Sequence, residues 1–190
     1  MTDFLYSIDL SVFHFINDTI ANPFFDKFFP YITEVKHWFL VYIIFFLALM
    51  IKGGRYGRIA ALGAIVVITF SDQFNSGFIK DLFGRIRPCN ALADVNIRSY
   101  CSGSFSFPSS HAVNNFAIAV FFMRLYPQYK VPLLITASLV ALSRPYVGVH
   151  YPSDIIAGAV LGCAIGYLFS YLALKINEMI EKRVNNKAIS

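Results

Sequence analysis

Long apolar runs separated by short polar connectors dominate this chain, and they restrict it to a bundle of membrane-crossing helices. A helix needs about 20 consecutive, mostly apolar residues to cross the hydrocarbon core of a bilayer. Inside that core every backbone N–H and C=O must be satisfied within the protein, which leaves helices as the solution for such runs. Five runs stand out, at roughly 36–52, 57–79, 109–127, 131–149 and 153–175. The first is short for a crossing and implies little tilt or a locally thinned bilayer. Composition agrees: 57% of the 190 residues are hydrophobic and only 14% charged, where a soluble domain carries roughly a quarter charged residues.

Ahead of these runs, Asp3, Ser7, Ser11, His14 and Asp18 fall on one helical stripe, with Phe4, Leu5, Ile8, Val12, Phe15 and Ile16 over the rest. That pattern reads as an amphipathic helix lying in the membrane interface. Asn22-Pro23 supplies a helix cap followed by proline at the first helical position, so a second short helix starts there. The expected fold is therefore an all-α polytopic bundle in one domain. Residues 1–35 form interfacial helices, 36–175 the five crossings, and 176–190 a cytoplasmic tail. Residues 4–33 as a sixth crossing would move the N-terminus to the other side without moving the chemistry.

The formal charge of +5 does not mark a nucleic-acid binder, because the basic residues cap apolar runs instead of forming a patch. Lys52, Arg55, Arg58, Arg124, Lys130, Lys175, Lys182, Arg183 and Lys187 all fall on one side of a five-crossing bundle. The positive-inside rule makes that side the cytoplasm, so the loop at about 88–108 faces outward. The N-terminus does not read as a typical secretory signal, since the first Lys or Arg is Lys27. Cys89 and Cys101 share the outward loop, where a disulfide is chemically permitted if that face is oxidising. Cys163 reads as a small buried residue. Gly158, Gly162 and Gly166, four residues apart, read as a close-packing stripe.

The outward ends of the helices collect the polar residues. Lys80 and Arg87 are almost two turns apart and share one side if the helix persists that far. Two cations there suit a phosphate dianion, which arginine can grip with parallel hydrogen bonds. Pro108-Ser109-Ser110-His111 opens the third crossing, so serine can cap the helix and free N–H groups can meet an anion. His111 in that first turn can give a proton to a leaving oxygen. Ser143-Arg144 is followed by His150, just ahead of Asp154 in the opening turn of the last crossing. An imidazole that donates one N–H to a carboxylate presents its other nitrogen as a nucleophile.

Taken together these residues resemble the type 2 phosphatidic acid phosphatases, whose site is shared with vanadate haloperoxidases. The family's three-part signature is K-x6-RP, PSGH and SR-x5-H-x3-D. Here it reads Lys80 with Arg87-Pro88, then Pro108-Ser109-Ser110-His111, then Ser143-Arg144 with His150 and Asp154. The resemblance implies that His150 attacks phosphorus, Asp154 orients it, and His111 protonates the leaving oxygen and later activates water. It implies that Lys80, Arg87, Ser109, Arg144 and Ser110, through its backbone N–H, hold the phosphoryl oxygens, with no metal or other cofactor. Ser110 stands where the common form has glycine. Its Cβ disfavours left-handed backbone angles and crowds the headgroup, while its hydroxyl is free to add a hydrogen bond.

The implied activity is hydrolysis of a lipid phosphomonoester or diphosphate at the outer face of the inner membrane. The compact size is similar to that of bacterial members, and undecaprenyl diphosphate heads the expected substrates. Lipid A phosphate, phosphatidylglycerol phosphate and phosphatidic acid follow. Two other classes are a phosphotransferase, which passes the phosphate to an acceptor, and a catalytically silent binding or transport protein. Each motif residue has a plainer reading: His150 as an interfacial ring, Arg144 as a snorkelling side chain, Asp154 as a helix cap. Three motifs in order at helix ends weigh against all of these at once. Asp72, inside the second crossing, is either functional or a hydrogen-bond partner of a neighbouring helix, with Asn114 and Asn115 as candidate partners.

Overall fold

The computed structural model describes residues 2–189, with side chains described for 4–186. The side chains of Asp3 and Lys187, named in the stripe and the basic tail above, lie outside that range. The described residues are all-α, as the apolar runs require. The helices are α1 (Thr2–His14), α2 (Pro23–Thr33), α3 (Val35–Lys52), α4 (Gly54–Phe74), α5 (Lys80–Phe83), α6 (Pro88–Ala91), α7 (Ser110–Leu125), α8 (Lys130–Tyr146) and α9 (Pro152–Ile189). A π-helical turn, Asn75–Ile79, joins α4 to α5, and another, Phe15–Thr19, follows α1.

Each of the five apolar runs forms one of the helices α3, α4, α7, α8 and α9. Three segments are long and apolar enough to cross a membrane: Val35–Lys52, Gly54–Ala91 and Pro152–Asn186. With 16 and 17 residues, α7 and α8 are shorter, reaching about 24–26 Å at 1.5 Å per residue. The last helix runs past the expected crossing of 153–175, for 38 residues to Ile189, about 57 Å, so the expected tail is helical.

The centre of the bundle is α7, which buries Ala112, Val113, Ala117, Phe121 and Phe122 against α4, α8 and α9. Glycines on α9 make that packing close. A Cβ at Gly162 would lie 2.3 Å from the Val113 carbonyl oxygen, and one at Gly166 would lie 2.3 Å from that of Ala117. By contrast α3 buries no residue. Its Phe39, Leu40 and Ile44 are exposed, as lipid-facing side chains are.

The first helix, with the π-helical turn that follows it, carries its apolar face outward, with Phe4, Leu5, Ile8, Val12 and Phe15 exposed. Its inward contacts come from Asp9, Phe13 and Asn17, all buried, two of them polar residues outside the expected stripe. Asn17 donates to the Asn96 and Tyr146 carbonyls at 3.0 and 2.9 Å and accepts from the Asn96 N–H at 2.9 Å. It thereby ties the long loop to the end of α8. Asn22 caps α2 as its sequence predicts, accepting from the Phe24 and Phe25 N–H groups at 3.0 Å each.

The basic connectors gather at one end of the bundle. Tyr56 donates to the Leu125 carbonyl at 2.8 Å, and Arg55 donates to Asn177 at 3.2 Å. The three motifs gather at the other end, beneath the loop that joins α6 to α7.

Candidate active site

Lys80 and Arg87 reach one cavity by a route different from a continuous helix. The helix stops at Phe83, where Gly84 adopts φ +58° and its N–H closes on the Lys80 carbonyl at 3.0 Å. A left-handed residue at that place suits glycine, which has no Cβ to clash. The chain then turns, and Arg87 comes back as the residue preceding α6. Both cations are fixed by loop carbonyls. Lys80 Nζ donates to the Phe105 carbonyl at 2.6 Å, and Arg87 Nε donates to that of Ser104 at 2.7 Å.

The cavity has a volume of about 350 Å³, and Lys80, Arg87, Ser110, His111, Arg144 and His150 all line it. Arg144 is held by Thr33 of α2, to whose hydroxyl its Nη1 donates at 2.7 Å. The Arg144 Nε is buried without a hydrogen-bond partner among the described residues. A buried unpaired guanidinium N–H is costly unless an acceptor meets it, and a phosphoryl oxygen is such an acceptor.

His150 is 2% exposed and lies between two opposed groups. Arg87 Nη1 is 3.0 Å from its Nε2, and Asp154 Oδ2 is 3.3 Å from its Nδ1. A guanidinium can only donate, so Nε2 accepts and the ring proton belongs on Nδ1, facing the carboxylate. Burial, only partly offset by the hydrogen bond with Asp154, pushes the His150 imidazole down to about 3; Arg87 and Arg144 add to the effect. The ring is therefore neutral at pH 7, with its Nε2 lone pair directed toward Arg87.

Asp154 stands behind His150 and does not line the cavity. It is fully buried. Its Oδ2 accepts from the Tyr151 N–H at 2.8 Å and from the Ser106 hydroxyl, and its Oδ1 accepts from Arg85 at 2.7 Å. Neither Ser106 nor Arg85 was among the residues expected at the site. Arg85 lies inside the variable stretch between Lys80 and Arg87, and Ser106 lies in a loop with no periodic signal, so spacing alone marks neither.

The two motif serines make different contacts. Ser109 precedes α7, but its hydroxyl caps nothing. The hydroxyl is buried without a partner among the described residues, while the Ser109 N–H donates to the Asp154 carbonyl at 3.1 Å. Ser110 is in ordinary helical backbone, since the described residues with positive φ are all glycines. Serine in place of the motif glycine therefore carries no backbone strain. The Ser110 hydroxyl accepts from Asn75 Nδ2 at 2.9 Å, on the π-helical turn. Asp72 pairs within the bundle: Asn114 donates to it at 3.1 Å and accepts from Ser71 at 2.7 Å. Asn115 donates to the His111 carbonyl at 2.9 Å.

The sequence matches the PAP2 superfamily over residues 60–178, which include all three motifs and every cation around the cavity. The chain belongs to the PAP2 superfamily. Among its relatives, the lipid A 4'-phosphatase of Bacteroides thetaiotaomicron is 32% identical over 189 residues, covering 95% of this chain and 84% of that protein. The undecaprenyl-diphosphatase of Sulfolobus acidocaldarius is 34% identical over 115 residues, covering 60% of this chain and 56% of that one. In fold, this PAP2 chain is similar to the crystal structure of Aquifex aeolicus LpxE, with a TM-score of 0.67 and 24% identity. The match covers 88% of this chain and 95% of that one. The protein is thus a membrane lipid phosphatase of the PAP2 superfamily.

Proposed function

We propose that this PAP2 phosphatase removes a phosphate monoester from the sugar headgroup of lipid A, through a phosphohistidine on His150. The observation that carries the mechanism is the neutral His150 ring, held at Nδ1 by Asp154 with its Nε2 lone pair toward Arg87. The arriving phosphoryl group draws Arg87 Nη1 from Nε2 to one of its own oxygens; Nε2 then attacks phosphorus, and the N–P bond forms as the bond to the lipid oxygen breaks. His111, as the imidazolium that a bound phosphate dianion favours, gives its extra proton to that leaving oxygen and becomes neutral. Water then attacks the phosphohistidine, His111 takes a proton from it, the N–P bond breaks, and inorganic phosphate leaves. Throughout, Lys80, Arg87 and Arg144 meet the charge on the equatorial oxygens, where preorganised donors contribute most. Ser110 contributes its N–H at the start of α7, where the helix dipole favours an anion. Ser109 positions Asp154 through its backbone N–H, and its buried, unpartnered hydroxyl is a further donor for a phosphoryl oxygen.

Two observations support lipid A over undecaprenyl diphosphate, the first expectation from sequence. The lipid A 4'-phosphatase relative matches nearly the whole chain, whereas the undecaprenyl-diphosphatase matches 60% of it. The mouth of the cavity is lined by Glu34, Ser99, Tyr100 and Ser102, a carboxylate and hydroxyls that can hydrogen-bond a sugar. A diphosphate on an isoprenyl chain offers no such ring. The site lies at the end of the bundle opposite the basic connectors, and a Cys89–Cys101 disulfide closes its loop. Both features support an inner-membrane protein whose site opens to the periplasm.

The test is phosphate release by the purified protein in EDTA from lipid A bisphosphate, undecaprenyl diphosphate, phosphatidylglycerol phosphate and phosphatidic acid, with mass spectrometry of the products. Lipid A is expected to have the highest kcat/KM and to lose one phosphate. Faster turnover of undecaprenyl diphosphate would overturn the substrate assignment, and label transferred to an acceptor lipid in place of water would favour a phosphotransferase.

A further inference from the structure

Helix α1 reaches the site through a charge bridge. Asp9 sits in the middle of this helix, between exposed Ile8 and Val12, yet is itself only 9% exposed. It accepts from the Ser153 N–H at 2.8 Å and from the Ser153 hydroxyl. Arg85 then spans two carboxylates: Nη2 is 2.6 Å from Asp9 Oδ2, and Nη1 is 2.7 Å from Asp154 Oδ1. A second set of contacts runs in parallel. The Arg85 guanidinium lies 3.9 Å from the centre of the Tyr151 ring, and that ring packs edge-on against Tyr6 and at a tilt against Phe13, both from α1.

These contacts converge on Tyr151, Ser153 and Asp154, three of the four residues that follow His150. The Asp154 carboxylate has two oxygens with separate duties. Oδ2 faces His150, Ser106 and the Tyr151 N–H, while Oδ1 is held by Arg85. Without the second anchor only the Oδ2 contacts hold the carboxylate, and the acceptor that faces Nδ1 is less firmly fixed. A buried carboxylate and a guanidinium are also costly to isolate, so each member of the Asp9–Arg85–Asp154 chain depends on the next.

We propose that Asp9 and Arg85 are positioning residues for hydrolysis, which fix Asp154 and through it the attacking nitrogen of His150, making the amphipathic helix α1 a working part of the active site. This rests on His150 being the nucleophile. A misplacement of about 1 Å at a reacting group can cost about 10²-fold in rate without weakening substrate binding.

The experiment compares Asp9→Asn, Asp9→Glu, Arg85→Ala and His150→Ala in the full chain, using the lipid phosphate that the wild type turns over fastest. Asp9→Asn and Arg85→Ala are expected to lower kcat about tenfold or more, with KM within about twofold. Asp9→Glu, which keeps the charge, is expected to recover most of the loss. Added guanidinium ion is expected to restore part of the Arg85→Ala rate and none of the His150→Ala rate. A kcat unchanged in Asp9→Asn and Arg85→Ala overturns the inference. So does a loss that tracks the fraction of folded protein and that neither guanidinium nor Asp9→Glu reverses. Phosphate release by His150→Ala would instead overturn the nucleophile assignment itself.

Discussion

Arg87 donates to His150 on the ring nitrogen opposite Asp154, at 3.0 Å from Nε2. One contact thus fixes the tautomer and, in the proposed mechanism, places a cation where the phosphoryl group arrives. Arg87 also donates to the Ser104 carbonyl and hydroxyl at 2.7 and 3.0 Å, so its fork is fully directed before any substrate binds.

Replacing that fork by a single ammonium should be severe. Arg87→Lys keeps the charge but cannot meet Ser104 and the phosphoryl group together. The expected loss in kcat is about 10²–10³-fold, the usual cost of one preorganised donor. Steady-state kinetics on lipid A bisphosphate measures it, and a variant within a few-fold of wild type would remove Arg87 from the transition-state contacts.

The pH response follows from the lowered His150 pKa. A histidine held neutral in the fold, at about 3, binds its proton more readily when unfolded, near 6.5. Its contribution to stability is complete above about pH 6.5 and declines as pH falls from there toward 3. The wild type should therefore lose thermal stability on acidification through this window more steeply than His150→Asn. Nitrogen NMR of labelled histidine should show no His150 titration near pH 6.5; a midpoint there would contradict the neutral buried ring.

Close packing of α7 on α9 predicts a position-specific cost. Gly162→Ala places a Cβ 2.3 Å from the Val113 carbonyl oxygen and should destabilise by about 1–3 kcal/mol through overpacking. Gly77→Ala, whose Cβ would meet nothing within 4 Å, is the control. Unfolding midpoints in detergent distinguish them, and equal midpoints would mean that the helices separate freely.

The Cys89–Cys101 disulfide closes a loop with a sequence separation of 12 that carries Ser99 and Tyr100 to the cavity mouth. Closing a loop of that size contributes about 3 kcal/mol, chiefly by restricting the unfolded chain. A denatured sample should show one free thiol, Cys163, without reductant and three with it. Cys89→Ser should lower the unfolding midpoint and raise KM for lipid A more than it lowers kcat. Three thiols before reduction would remove the bridge.

Much of the bundle was legible because the bilayer allows few solutions: the apolar runs became helices at the expected places. The three motifs were legible because their residue types and spacings are rare in combination. What escaped was set by tertiary contact. Nothing in the spacing of Lys80 and Arg87 announces that the helix stops at Gly84, although a glycine there is the signal that could have been weighed. Asp9 was hidden because an amphipathic helix leads one to expect charge on the solvent side, whereas here an acidic residue points inward to meet Arg85. Ser109 shows the reverse error. A serine before a helix reads as a cap, yet its hydroxyl is buried without a partner and its backbone makes the useful contact. The reach of α9 to Ile189 goes beyond what hydropathy marks, because hydropathy gives the end of a crossing and the polar tail carries no helix breaker.

The central claim is a covalent phosphate on His150, and rapid quenching in base after mixing with phosphate-labelled lipid A reads it directly. The expected result is label on the protein that is stable to base, released by acid, mapped to the peptide containing His150 and absent from His150→Ala. Label on another residue, or undiminished phosphate release by His150→Ala, would contradict it.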